Sequence, residues 1–339
     1  MRRRFLLIVL IGLVALEAAK AQSAGTVARA GFGARGLAVG NALAGDASGL
    51  TSPWYNPALA PYVRGQNLNL SAALLTHDRQ LQFVELGTPL RPRAGIAAGL
   101  IHGGVRNIDL RDQSGYHTGM ASTDEFAFFL AFGVRVTSHA SVGVNLQLFR
   151  SDLYDDLRPA QTIGLDVGLA FRLWPHLHLG LVVDDLLARY SWDTSALFSG
   201  GGSTLDIFPT RLRIGAAWET PIRSLRVLAE YESMISSREF RDPNITLAGL
   251  TPQVSYATRD VSLHSGGLRL GAEYQPASVL SLRAGLGRLE DLGRGGPQPG
   301  AGFVIEQALG LLVTQAAYTF VLEPWALGSM HLITVRFFL

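Results

Sequence analysis

The feature that most restricts this chain is an alternation of period two that recurs along most of its length. Between Gln161 and Leu173, the residues Ile163, Leu165, Val167, Leu169, Phe171 and Leu173 fall on one side. Thr162, Gly164, Asp166, Gly168 and Arg172 fall on the other. A helix would place apolar residues every three or four positions, whereas strict alternation marks a strand with one apolar and one polar face. The pattern returns where Leu212, Ile214, Ala216 and Trp218 oppose Arg211, Arg213, Gly215 and Glu219. Fourteen such segments are read, at 67–76, 80–88, 94–105, 123–136, 140–150, 161–173, 177–187, 207–220, 225–233, 266–275, 279–288, 301–308, 311–320 and 330–338.

The links between these segments alternate in length. Pro89–Arg93, Thr137–His139, Trp174–His176, Pro221–Ser224, Pro276–Ser278 and Leu309–Gly310 are short. Arg106–Ser122, Ser151–Ala160, Ala188–Asp206, Met234–Ser265, Leu289–Gly300 and Val321–Ser329 are long, and only the first link of that set, around His77–Arg79, is short. A β-sandwich has no reason to place its long loops on every second connection, but an outer-membrane barrel does, with tight periplasmic turns and long external loops. Charged residues make up 17% of the chain and the mean hydropathy is +0.22. Past the N-terminus no stretch reaches the ~18 apolar residues of a membrane helix, which is the average an alternating membrane strand produces. The expected fold is all-β: a transmembrane antiparallel barrel of fourteen strands over 67–339. The last strand, with Ile333, Val335, Phe337 and Leu339 on one face, closes against the first and leaves no edge.

Two segments precede the barrel. Arg2–Arg4, the apolar run Phe5–Leu16 and Ala19-Lys20-Ala21 read as a signal peptide spanning 1–21, cut before Gln22. Residues 22–66 are rich in Gly and Ala and are expected to form a plug entering the barrel from the periplasmic end, with Gly31, Gly33, Gly36, Gly40, Asp46, Asn56, Pro57 and Ala58 as its marker residues. The stretch Gly31–Gly36, GFGARG, has the spacing of a dinucleotide-binding turn. It lacks the strand–helix surroundings that motif requires, so its small residues are read as allowing close packing. The net charge of +2 gives no nucleic-acid footprint, and the absence of Cys excludes disulfides and thiolate metal sites.

No catalytic residue, cofactor or metal is expected. His176 and His178 share a face without a matching acidic ligand, and Asp155-Asp156 and Asp184-Asp185, on the presumed outer side, lack a Ca²⁺-loop pattern. No G-x-S-x-G marks a hydrolase. The faces taken to line the lumen carry both signs, among them Asp166, Arg211, Arg213, Glu230, Glu232, Arg269, Glu273, Arg283 and Arg336. They are read as acid–base pairs filling the barrel rather than as a selectivity ring. In the long loops, Trp192, Phe198, Phe208 and Leu247 are candidates to meet a ligand or partner, or else to fold together as a lid.

The order of a Gly/Ala-rich run, Asp46-Ala47-Ser48, Trp54-Tyr55-Asn56-Pro57-Ala58 and then the first strand resembles the start of the PorV/PorQ family, relatives of the FadL fatty-acid transporters. Pro209–Trp218, Leu268–Tyr274, Leu282–Gly285 and Leu327–His331 extend the resemblance. It departs at Gly45-Asp46, where the family has an acidic pair, and at the non-aromatic C-terminal Leu339. The resemblance implies a non-catalytic outer-membrane barrel with its N-terminal segment tucked inside. Such a barrel would bind secreted cargo or secretion-system proteins in a type IX-like system. The alternative it implies is FadL-like passage of a hydrophobic small molecule such as a long-chain fatty acid, and an open porin is third.

Overall fold

A chain of amphipathic strands can satisfy both faces at once only if the sheet closes, with one face turned to lipid and the other to an enclosed polar interior. The computed structural model shows this closure and describes residues 25–339 apart from 155, 196, 198–200, 223, 249–250, 290–296, 311 and 325–326. The expected signal peptide, 1–21, lies outside the described residues. The strands are β1 (Asn67–Leu75), β2 (Arg79–Leu90), β3 (Ala94–Arg111), β4 (His117–Arg135), β5 (Ala140–Asp152), β6 (Ala160–Trp174), β7 (Leu177–Leu186), β8 (Arg189–Asp193) and β9 (Ser203–Ile207). They continue as β10 (Thr210–Glu219), β11 (Leu225–Ala248), β12 (Thr251–Ala277), β13 (Leu280–Gly287), β14 (Gln298–Leu309), β15 (Leu312–Leu322) and β16 (Ser329–Phe338). All but β8 and β9 form a closed 14-strand antiparallel barrel in chain order. It is sealed by β1 against β16, from Asn67↔Phe338 to Leu75↔Met330.

The polarity of the wall is inverted relative to a water-soluble barrel. On β5, Val142, Val144, Leu146 and Leu148 are exposed on the outside, while Ser141, Asn145, Gln147 and Ser151 are buried within. On β4, Phe128, Leu130 and Phe132 continue the apolar exterior, and register sets them beside Leu148, Leu146 and Val144. Trp174, Trp218 and Tyr274 are exposed near the short turns, where an aromatic girdle meets the membrane surface. Outward charge appears toward the other rim, where Arg106 pairs with Asp124 at 2.8 Å. No described helix is long and apolar enough to cross a membrane; the strands make the crossing.

The long connections differ from the expected loops. Much of Arg106–Ser122 and of Met234–Ser265 is strand. β3 and β4 run on through a register shift at Val105/Ile108, and β11 and β12 stay paired from Leu225↔Tyr274 to Ala248↔Thr251. Above the membrane both faces of a strand meet water, so the alternation that marks the lower strands disappears while the ladder persists. β10 pairs with β11 only as far as Thr210↔Ile235, and β13 pairs with β12 only as far as Leu286↔Leu270. Beyond those points β11 and β12 pair only with each other among the described residues, as a two-stranded ribbon. The loop expected at Ala188–Asp206 contains the β8–β9 hairpin, and the barrel strand after it begins at Thr210 rather than 207.

The lipid-facing assignment has a direct check. Leu146→Arg is expected to cost about 2–4 kcal/mol of folding free energy in bilayers. Leu205→Arg, on the exposed face of the β8–β9 hairpin, is expected to stay within about 0.5 kcal/mol. Equal effects in a urea titration of bilayer-inserted protein would contradict burial of the β5 exterior in lipid.

Candidate functional site: the plugged lumen and its vestibule

The segment ahead of β1 fills the barrel. It comprises α1 (Thr26–Arg29), α2 (Gly33–Ala38) and a 3₁₀ helix (Pro57–Tyr62), joined by turns. Its course corrects the expectation of a plug entering from the periplasmic end. Val27 sits against Gly103 in the upper part of β3, and Arg29 lies over the Phe208 ring at 5.9 Å. Pro57–Pro61 lies against Gly133 and Gly143, close to the short turns. The segment thus starts on the long-loop side and descends to β1, because its last residues must join a strand that begins at the other rim.

Local chemistry fixes the lower part. Asn56 is fully buried and caps the 3₁₀ helix, its Oδ1 accepting from the Ala58 N–H at 2.9 Å. Its Nδ2 donates to Ala44 O (2.7 Å) within the plug and to Leu169 O (3.0 Å) in the wall. Pro57 occupies the first helical position, where no N–H is needed. Ala58 is buried, and its carbonyl accepts from Ser141 Oγ at 2.8 Å. Asn56 and Ala58 are therefore joints between plug and wall.

The glycines work by proximity. A Cβ at Gly36 would fall 2.0 Å from the Tyr55 hydroxyl, and one at Gly40, where φ is +65°, would fall 2.6 Å from the backbone of Leu286. Gly31 and Gly33 take positive φ at the turns flanking Phe32. Gly45, where the resembling family carries an acid, would place a Cβ 2.7 Å from Gly215 O, so this wall leaves no room for that side chain. Sequence reading overlooked the matching glycines of the wall. Gly180 and Gly215 face Ala44 and Gly45, and their inward register position was the signal that could have found them.

Charge completes the closure. Arg35 donates from Nε and Nη2 to the Glu273 carboxylate at 2.8 and 2.7 Å, and lies 2.7 Å from Asp46 Oδ2 and 2.6 Å from Thr51 Oγ1. Arg213 reaches from β10 to Tyr55 O at 2.7 Å while pairing with Asp184, and Glu230 accepts from the Ala44 N–H at 2.9 Å. Arg336 donates to Leu50 O at 2.6 Å, and Ser52 Oγ donates to Glu85. Arg211 pairs with Asp185 at 2.9 Å, and Arg269 bridges Glu230 and Glu232 at 2.7 and 2.9 Å. The expected acid–base filling of the lumen is present. Asp184 and Asp185 belong to it, buried inside the barrel at the end of β7. His176 is instead an exposed turn residue 3.7 Å from Glu219.

Burial alone would raise the Asp46 carboxyl. The Arg35 and Arg226 guanidiniums, with hydroxyl donors from Thr51 and Ser48, override it and hold the group below its ordinary value of 3.8. A layer of rings lies beside these pairs: Phe32 stacks on Phe83 at 4.3 Å and meets Trp54 at 5.5 Å, and Trp54 meets Phe129 at 5.1 Å. Free space next to Phe32, Arg35 and Tyr55 amounts to about 30 Å³, the volume of about one water.

Above the plug the barrel opens into a vestibule of about 750 Å³. Val27, Arg29, Ala30, Gly40 and Asn41 form its floor, and Leu75, Leu81, Val105, Met234 and Met330 contribute apolar wall. Of the loop candidates, Phe208 is buried against Phe149 (4.9 Å) and Tyr190 (5.0 Å), and Trp192 is half-buried against Tyr190 (5.6 Å). Phe208 packs over the start of the plug, beside Gly25 and Arg29, and neither ring lines the vestibule. Phe198 and the side chain of Leu247 lie outside the described residues.

No protein-family model matches the chain, and no curated protein matches it in sequence. Solved structures do match. The Ralstonia pickettii toluene transporter TbuX aligns at 15% identity over 91% of this chain and 97% of its own, with a TM-score of 0.57. The monoaromatic hydrocarbon channel CymD aligns at 14% over 91% and 96% (TM-score 0.56). A Pseudomonas aeruginosa FadL homologue aligns at 11% over 90% and 96% (TM-score 0.54). In fold, the chain is similar to the FadL-type transporter barrels.

Two outcomes test the plug. Asn56→Leu strips partners from Ala58 N, Ala44 O and Leu169 O and is expected to cost about 3 kcal/mol. Protease cleavage within 25–66 should rise while the barrel still shows heat-modifiable migration; unchanged cleavage would contradict the joint. Because the Asp46 carboxyl is held low in the folded protein, its contribution is complete above pH 3.8 and is lost as the pH falls below that value. The part of plug protection that depends on Asp46 should therefore hold down to about pH 4 and weaken below it. Asp46→Asn should lack that acid step.

Proposed function

We propose that the protein is an outer-membrane channel for small hydrophobic molecules, shut at rest by its own N-terminal segment. The observation that carries this reading is the vestibule: a partly apolar chamber on the long-loop side, floored by the residues that would have to move for anything to pass. The structural neighbours add support, since two are described as a toluene transporter and a monoaromatic hydrocarbon channel. On this reading, passage of small molecules takes precedence over the partner-binding role expected first from the sequence. The charged lumen, which would be a poor apolar tunnel, serves as the lock on the plug rather than as the conduit. Substrate capture needs no bond-making step, so the protein acts without catalysis. The short turns and both barrel ends face the periplasm, and the rim with Trp192 and Phe208 faces outward.

A second reading rests on a different observation. The part of β11 and β12 beyond the barrel has two edges left unpaired among the described residues, and open edges accept a strand from another chain. This is where an exported protein of the PorV/PorQ kind of system would attach. One experiment separates the readings. Deleting the gene is expected to lower uptake of radiolabelled toluene and to leave surface-protein display intact. Normal uptake with collapsed display would overturn the channel reading in favour of the partner-binding one.

A further inference from the structure

The vestibule's polar wall bears on which molecules it admits, and this step rests on the channel reading above. A carboxylate-bearing amphiphile entering from outside would need a cation with capacity to spare. Arg79 points both terminal nitrogens at Glu323, with Nη1–Oε1 at 2.8 Å and Nη2–Oε2 at 2.5 Å, and its Nε donates to Thr76 O at 3.0 Å. The Glu323 side chain is only 7% exposed, so it has no solvent to fall back on if Arg79 leaves. Arg269 is likewise shared between Glu230 and Glu232. Arg29, on the floor, lies in the field of Asp185, Glu232 and Glu125 with its Nη1 buried away from any hydrogen-bond acceptor, and Arg288 is also engaged.

An incoming anion at Arg79 must therefore displace a carboxylate that is already bidentate, leaving a buried charge unpaired. An uncharged polar end meets no such obstacle. Asn41, Gln80, Thr123, Ser151 and Gln298 offer neutral donors and acceptors on the same wall, between apolar patches such as Leu81 and Met330. The pair also spans the closing seam of the barrel, from the start of β2 to the link between β15 and β16. Thr76 Oγ1 braces it by donating to Leu327 O at 2.8 Å.

We propose that the vestibule takes uncharged amphiphiles, with an apolar body and a hydroxyl, carbonyl or ester end, and turns away carboxylates, with the Arg79–Glu323 pair as the specificity determinant. The chamber is then a filter by charge as well as by size. Glu323→Gln keeps the shape and hydrogen-bonding reach of the side chain but releases the guanidinium, so it converts the filter toward anions.

The test is calorimetric titration of the full chain in nanodiscs, with empty discs as blank, near neutral pH, using benzyl alcohol and benzoate as probes. Wild-type protein is expected to bind benzyl alcohol at least about tenfold more tightly than benzoate. Glu323→Gln should move the benzoate-to-benzyl-alcohol ratio toward benzoate by about tenfold, and Arg79→Gln should move it further away. Equal or tighter benzoate binding by the wild type would overturn the proposal, as would an unmoved ratio in a Glu323→Gln variant that retains heat-modifiable migration. If Glu323→Gln does not fold, the wild-type comparison decides alone. If neither probe binds above the blank, the channel reading itself fails, which is a different result from binding with the wrong preference.

Discussion

The structure depends on the contact of Arg35 with Asp46 and Glu273. One guanidinium, almost fully buried, joins two carboxylates, one from the plug and one from β12. Attraction between such groups is strong where water is excluded, and the desolvation cost is met only because nearly every donor has an acceptor in place. The geometry makes the contact all-or-none. Withdrawing the plug would leave Glu273 to the wall residues Arg283 and Arg226 alone and carry two opposite charges through a closed barrel. A lock of this kind favours two discrete states over a continuum of partly open ones.

Around that contact the wall and the plug are fitted by backbone. Ala44 and Gly45 press on Gly180 and Gly215, and Asn56 lies against Gly168 while its amide reaches Leu169 O. Lipid outside the barrel allows this arrangement. Because Val142, Val144, Leu146 and Leu148 find their apolar surroundings in the bilayer, the inner face is left to polar groups and glycines. The same division places the mixed apolar and polar chamber above the plug, where a small molecule can arrive from outside and meet the start of the N-terminal segment before anything else.

Much of the barrel was legible in the sequence, because period two survives wherever one face meets lipid and the other meets the lumen. Asp166 and Arg213 were placed inward by parity alone, and both are buried. Three things were not legible. The β11–β12 ribbon is continued by no further barrel strand among the described residues, and its sequence carries no alternation to read. The direction of the plug depends on which rim β1 starts from and on where Val27 finds a neighbour, and neither is written in the segment itself. Phe83 and Phe129 look like lipid-facing residues by type, yet they point inward to stack with Phe32 and Trp54, since the plug supplies an apolar patch that a water-filled lumen would lack. In the candidate site, Asn56, Pro57 and Ala58 were found by their resemblance to a known motif. Arg35, at the centre of the lock, was passed over as the x of a glycine-rich spacing. Its role appears only when Glu273, 238 positions away, is brought beside it.

The central claim is that ion pairing between plug and wall keeps the lumen shut. Single-channel recording in planar bilayers tests it most directly, with wild-type protein beside Arg35→Ala, both confirmed as folded barrels by heat-modifiable migration. The account predicts a wild type with conductance near zero and a variant with discrete openings, since Asp46 and Glu273 would then be held together only through the longer contacts of Arg226, at 3.8 and 3.5 Å. A steadily conducting wild type, or a folded Arg35→Ala barrel that stays silent, would contradict it.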